Sequence, residues 1–154
     1  MPNFLGSDLQ VYFLFEKRGP WPPVPSEGVR VVAVDADSYR LVETPFFVRN
    51  VAVGDVVRAA AGADGIRWVD ERESWSGHQT LRVTPTGAAS PATCAEIMKE
   101  LTALGVGVDE LEEYALVAVD VPPEVPPGPV RDLLERGRAD GRWIFEEACL
   151  GPSW

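Results

Sequence analysis

Apolar and polar positions alternate in short runs through the first half of the chain and switch to a helical period in parts of the second. Asp8 to Glu16 (DLQVYFLFE) has the β-branched and aromatic content of a strand. Lys17 to Glu27 follows with four prolines and a glycine, which predicts a loop. Gly28 to Val34 and Tyr39 to Glu43 predict two strands joined by a turn at Asp35 to Ser38. Thr44 and Pro45 break the second of these, and Phe46 to Val48 is expected as a short extended piece. A turn at Asn50 to Gly54 leads into a strand at Asp55 to Ala60. Ala63-Asp64-Gly65 is a hairpin signal, with Ile66 to Glu71 as the returning strand. Five or six short strands without a helical period predict a small β-barrel or curled antiparallel sheet over residues 1–77.

After Gly77 the pattern changes. Gln79 to Thr84 predicts a strand, and Ser90-Pro91 an N-cap with proline at the first helical position. Cys94, Ile97, Met98, Leu101 and Leu104 recur at helical spacing until Gly105. Val106 to Asp109 and Ala115 to Val121 predict two strands. A second helix starts at Pro129, carries Val130, Leu133 and Leu134 on its apolar face and ends at Gly141. Arg142 to Leu150 (RWIFEEACL) closes the chain as a strand. The order β-α-β-β-α-β over 78–154 predicts a ferredoxin-like domain. Both helices should lie on one face, with the first strand central, antiparallel to the last and parallel to the third. The whole is an α+β protein, its two halves expected as one unit.

Composition narrows the class. Apolar residues make up 45% of the 154, enough for a packed core. No apolar run reaches the roughly 20 residues that span a bilayer. Val11 to Phe15 is too short for a signal-peptide core. No membrane association is expected, and the expected location is cytoplasmic. Cys94 and Cys149 are expected as free thiols. With a single histidine, His78, no metal site and no cofactor are expected.

The net charge is −10, unevenly spread. Residues 1–77 carry 8 basic and 11 acidic side chains, a balance of −3; residues 78–154 carry 6 and 13, a balance of −7. Such a surface repels phosphate backbones and argues against a nucleic-acid partner. It attracts a basic protein or peptide, and it also simply keeps a protein soluble.

Four segments resemble a known family. TPFFVRNVAVGDVV (44–57), SGHQTLRV (76–83), LVAVDVPP (116–123) and GRWIFEEACLG (141–151) are similar to a bacterial family catalogued as domain of unknown function 4265. The resemblance spans nearly the whole chain and implies that the two halves belong together. It implies no particular activity.

Chemistry is expected on the sheet face away from the helices. Alternation turns Leu81 and Val83 toward the helices and Thr80 and Arg82 away. With Ile144, Ala148 and Leu150 toward the helices, Trp143, Phe145, Glu147 and Cys149 share the face of Thr80 and Arg82. Asp120 joins them if Val117, Val119 and Val121 face the helices. One register sets His78 opposite Cys149 and Thr80 opposite Glu147; a shift of two sets Arg82 opposite Glu147 and Thr80 opposite Cys149. Glu146 breaks the alternation, which an edge position or a bulge would explain, the edge position being simpler.

The catalytic candidates are His78, Arg82, Glu147 and Cys149, with Glu147 as a general base or His78 activating Cys149. The binding candidates are Trp75, Thr80, Asp120, Trp143 and Phe145. A cross-strand ion pair between Arg82 and Glu147 is the structural alternative. Asp70 to His78, with Trp75, reads as a connection or a lid; Trp154 either docks or stays loose.

The leading expectation is a binding or accessory module for a peptide or protein partner. The alternatives are a metal-independent enzyme acting on a peptide or natural-product intermediate and an immunity protein against a basic toxin. A homodimer through a sheet edge or open face is a further expected assembly.

Overall fold

The computed structural model describes residues 9–16, 19–86 and 92–154. The chain divides into two compact units, Met1–Ser76 and Gly77–Trp154.

The first unit is a closed five-stranded barrel: β1 (Gln10–Leu14), β2 (Ser26–Ala33), β3 (Ser38–Leu41), β4 (Val56–Ala61) and β5 (Arg67–Ser74). Consecutive strands pair antiparallel, and β1 meets β5 in parallel at Tyr12 and Trp68. An up-and-down meander with an odd number of strands brings its first and last strands together running the same way. The barrel alternative therefore holds, but as a mixed barrel. Its interior is filled by alternate residues: Val11 and Phe13, Val29 and Val31, Tyr39 and Leu41, Val57 and Ala59, with Val51 from a loop.

The expected hairpin forms at Ala63 to Gly65. Gly65 takes a positive φ of 79°, Gly62 N–H donates to Ile66 O at 2.9 Å, and the Asp64 carboxylate accepts from Ile66 N–H. The expected extended piece at Phe46 to Val48 is not a strand. Its three N–H groups turn inward on the Glu27 carboxylate, at 2.5, 2.9 and 2.9 Å. A side-chain anion thus satisfies donors that a neighbouring strand would otherwise take. Asp55, fully buried, similarly accepts from Ala52 N–H and Ser76 N–H and meets Arg72.

The second unit runs β6 (Gln79–Pro85), α1 (Cys94–Thr102), β7 (Gly107–Leu111), β8 (Leu116–Val121), α2 (Pro127–Ala139) and β9 (Trp143–Cys149). The sheet order is β7-β8-β6-β9, every neighbour antiparallel. This corrects the expected parallel pairing of β6 with β8. The β7–β8 hairpin reverses direction, so β8, inserted between β6 and β7, opposes both. Leu81, Val83, Val117, Val119 and Val121 pack against Ile97 and Leu101 of α1 and Val130 and Leu134 of α2 in one buried cluster.

The helix starts differ from expectation. Ser90 and Pro91 lie outside the described residues, as do Asp8 and Lys17. The cap of α1 is Thr93, in a reciprocal box with Glu96: Thr93 Oγ1 accepts from Glu96 N–H at 3.1 Å, and Glu96 Oε1 from Thr93 N–H at 2.9 Å. Helix α2 begins two residues before Pro129, at Pro127, because proline is tolerated throughout a first turn whose N–H groups have no partner.

Candidate functional site

The face of the second sheet away from the helices is set by β6 and β8. The register pairs Thr80 with Asp120 and Arg82 with Ala118, so Thr80, Arg82 and Asp120 share that face while Leu81 and Val83 take the other. Thr80 is fully buried and Arg82 is 2% exposed.

Strand β9 departs from the expected alternation. Trp143 is fully buried on the helix side, its Nε1–H donating to Leu134 O at 3.0 Å. Phe145 packs against the same cluster and lies under the Arg138 guanidinium, 4.7 Å from the ring centre. Ile144, expected to face the helices, is 58% exposed. The largest side chain of the strand claims the helix face and fixes the parity of its neighbours.

A register shift then intervenes: Arg82 pairs with Glu146 and Leu81 with Glu147, but Thr80 pairs with Cys149. Ala148 is the extra residue of a bulge, which returns Cys149 to the face of Thr80. Glu146 precedes the bulge and follows from the parity that Trp143 sets: three residues on, it faces away from the helices, where its Oε1 accepts from Arg82 Nη1 at 3.2 Å. It lies on an edge strand, as the simpler expectation had it. Glu147 faces elsewhere and accepts the Trp154 indole N–H at 2.5 Å. Trp154 is therefore docked, and its carbonyl also accepts from Arg131.

His78 Nδ1 lies 2.8 Å from Asp120 Oδ1. Burial pushes the Asp120 carboxyl up, the His78 hydrogen bond and charge oppose this, and Glu124 and Asp109 add to the rise. Neither expected register for Cys149 survives whole. Thr80, not His78, stands opposite Cys149, and Arg82 meets Glu146 instead of Glu147.

The structure thus gathers Thr80, Arg82, Asp120 and Cys149, with His78 and Glu146, on one side of the sheet. Trp143, Phe145 and Glu147 are taken from that group. Trp75 follows β5 in the first unit and is 38% exposed. Among the described residues, no group of three or more His, Cys, Asp or Glu side chains is arranged to hold a metal ion, and no helix is long and apolar enough to cross a membrane.

A second feature escaped the sequence reading. No lysine or arginine occurs between Lys99 and Arg131, while Glu100, Asp109, Glu110, Glu112, Glu113, Asp120 and Glu124 do. Four of these acids lie in or just after β7, an edge strand, and all four are exposed. The charge balance of each half averages over this single segment without cations. Glu110 approaches the Cys94 thiol, whose pKa is raised by burial and by that carboxylate.

Similarity to known proteins fits this architecture. The family described as Domain of unknown function (DUF4265) matches residues 27–145, and the chain belongs to that family. No curated protein matches the chain. A solved structure, "Novel crystal structure of a hypothetical protein from Neisseria gonorrhoeae", is similar with a TM-score of 0.74 at 16% identity, over 93% of this chain and 96% of that one. At that identity the likeness speaks for the fold alone.

Proposed function

We propose that this member of the DUF4265 family is a binding module for a basic protein or peptide, built on a ferredoxin-like second unit. The observation that carries the reading is the cation-free segment between Lys99 and Arg131, which places Asp109, Glu110, Glu112 and Glu113 exposed along one sheet edge and its turn. Such a local field steers a cationic partner and rejects anionic ones.

The enzyme alternative is less well supported. Glu147, its expected general base, is held by Trp154, and Arg82 is occupied with Glu146 on a face where Thr80 and Cys149 are also buried. Neutralisation of a basic toxin is a special case of the same binding reading. Cys94 and Cys149, neither of them in a disulfide, fit a cytoplasmic location.

The test is fluorescence anisotropy with a labelled lysine-rich peptide and a glutamate-rich control at about 20 and 200 mM salt. Binding of the lysine peptide alone, weakened at least about fivefold by the added salt, is the expected result. No binding of the lysine peptide at low salt overturns the reading.

A further inference from the structure

We infer that the open edge of β7 takes up an extended basic segment by strand addition; this mode rests on the basic-partner reading above. Strand β7 pairs with β8 on one side and ends the sheet on the other. An edge strand turns alternate N–H and C=O groups outward, a template on which another extended chain can hydrogen-bond. Gly107, Asp109 and Glu110 are exposed.

The alternation of β7 defines what that chain must carry. Gly107 pairs with Asp120 and Asp109 with Ala118, so both lie on the face away from the helices. Val108 packs into the helix-side core and Glu110 sits beside Cys94 of α1, on the opposite face. A strand laid along β7 therefore meets a carboxylate on each face at two successive positions. Basic residues opposite Asp109 and Glu110 must be adjacent in its sequence.

A third basic position comes from Gly107. Lacking a side chain, it leaves space beside Asp120, whose Oδ1 is bonded to His78 and whose Oδ2 lies on the Gly107 side; a Cβ there would stand 3.6 Å from Asp120 Cβ and 3.9 Å from Oδ2. The long stem of a lysine opposite Gly107 crosses this gap toward Asp120, about 10 Å or two strand spacings away. An antiparallel occupant then reads basic-basic-x-basic.

Two competing arrangements fit less well. The other edge, β9, sets the Arg82 cation against Glu146, whereas the segment that carries Asp109 and Glu110 contains no lysine or arginine. A second copy of β7 would set like charges against Asp109 and Glu110.

The test is an NMR amide titration of the full chain with the peptide Val-Lys-Lys-Val-Lys at about 20 mM salt. Comparison peptides are its backbone N-methylated form, of equal charge, and Val-Lys-Lys-Val-Val. Shifts centred on residues 107–111, at least about tenfold weaker binding after N-methylation and about threefold weaker binding without the last lysine support the proposal. G107V, whose added atoms face a Cβ contact of ordinary length, should bind the two unmethylated peptides equally. Equal binding of the N-methylated peptide, or shifts mapping elsewhere, overturns strand addition and leaves the basic-partner reading standing. No binding of any peptide overturns both. Self-association through β7 without peptide overturns the assignment of the edge to a basic strand.

Discussion

The indole of Trp143 occupies the space that a side chain on Gly137 would need. A Cβ on Gly137 would lie 2.0 Å from two atoms of the Trp143 ring, and both residues are buried. Glycine is required there by close approach, and α2 accepts its poorer helix propensity in exchange for a seated tryptophan. Gly137→Ala should therefore destabilise the second unit by about 2–4 kcal/mol, although alanine is the better helix former. Urea denaturation followed by tryptophan fluorescence checks this. A neutral or stabilised variant would show that the ring is not held against the helix.

Glu27 should contribute more stability than a half-buried glutamate ordinarily does. Its two carboxylate oxygens accept three successive N–H groups of the Phe46 to Val48 loop. Glu27→Ala strips acceptors from all three and should cost about 2–3 kcal/mol. Glu27→Gln keeps one carbonyl oxygen and should cost roughly half as much. Thermal unfolding of both variants tests the ranking, and equal effects would count against the carboxylate's role. Phe47, which this loop buries against Trp21, should gain hydrogen exchange in the alanine variant.

The partner of Arg82 can be identified by substitution. Arg82 is 1% exposed in its side chain and Glu146 30%. Removing Glu146 leaves a buried guanidinium short of its carboxylate, which costs about 2–3 kcal/mol after discounting for solvent around Glu146. Glu146→Gln should show this loss, and Glu147→Gln should stay within about 0.5 kcal/mol. A double-mutant cycle of Arg82→Met with Glu146→Gln should give a coupling energy of about 1–2 kcal/mol, and with Glu147→Gln almost none. The opposite ranking would restore the register in which Arg82 faces Glu147.

These residues also show where the sequence was readable. Leu81, Val83, Val117 and Val119 alternate cleanly because one face of these central strands packs on the helices while Thr80, Arg82, Ala118 and Asp120 take the other, and the β-α-β-β-α-β order followed from them. Strand β9 departs from the expected pattern because two effects oppose simple alternation there. Trp143 takes the helix face through its volume, which depends on Gly137 in another element, and the bulge at Ala148 reverses parity once more. Neither is local in sequence. The Phe46 to Val48 loop departs from the expected extended piece for a similar reason. Its conformation is dictated by Glu27, 19 to 21 residues earlier.

Asp120 should make stability fall as pH rises through the acidic range. Its carboxyl is raised, first by burial and further by Glu124 and Asp109, against the opposing pull of His78. A carboxyl with a raised folded-state pKa binds its proton more tightly in the folded chain. Its contribution is therefore fully present below the unfolded-state value and is lost as pH climbs through the raised folded value. Glu100 has the opposite sign. Its pKa is lowered, chiefly by the hydrogen bond from Arg142, so its contribution is present above the unfolded-state value and is lost as pH falls through the lowered one. Asp120→Asn should accordingly gain on the parent protein with increasing pH, and Glu100→Gln should lose. Urea midpoints measured at successive pH values from strongly acidic to neutral give both trends. If Asp120→Asn instead loses ground as pH rises, the His78 contact outweighs burial and the assigned direction is wrong.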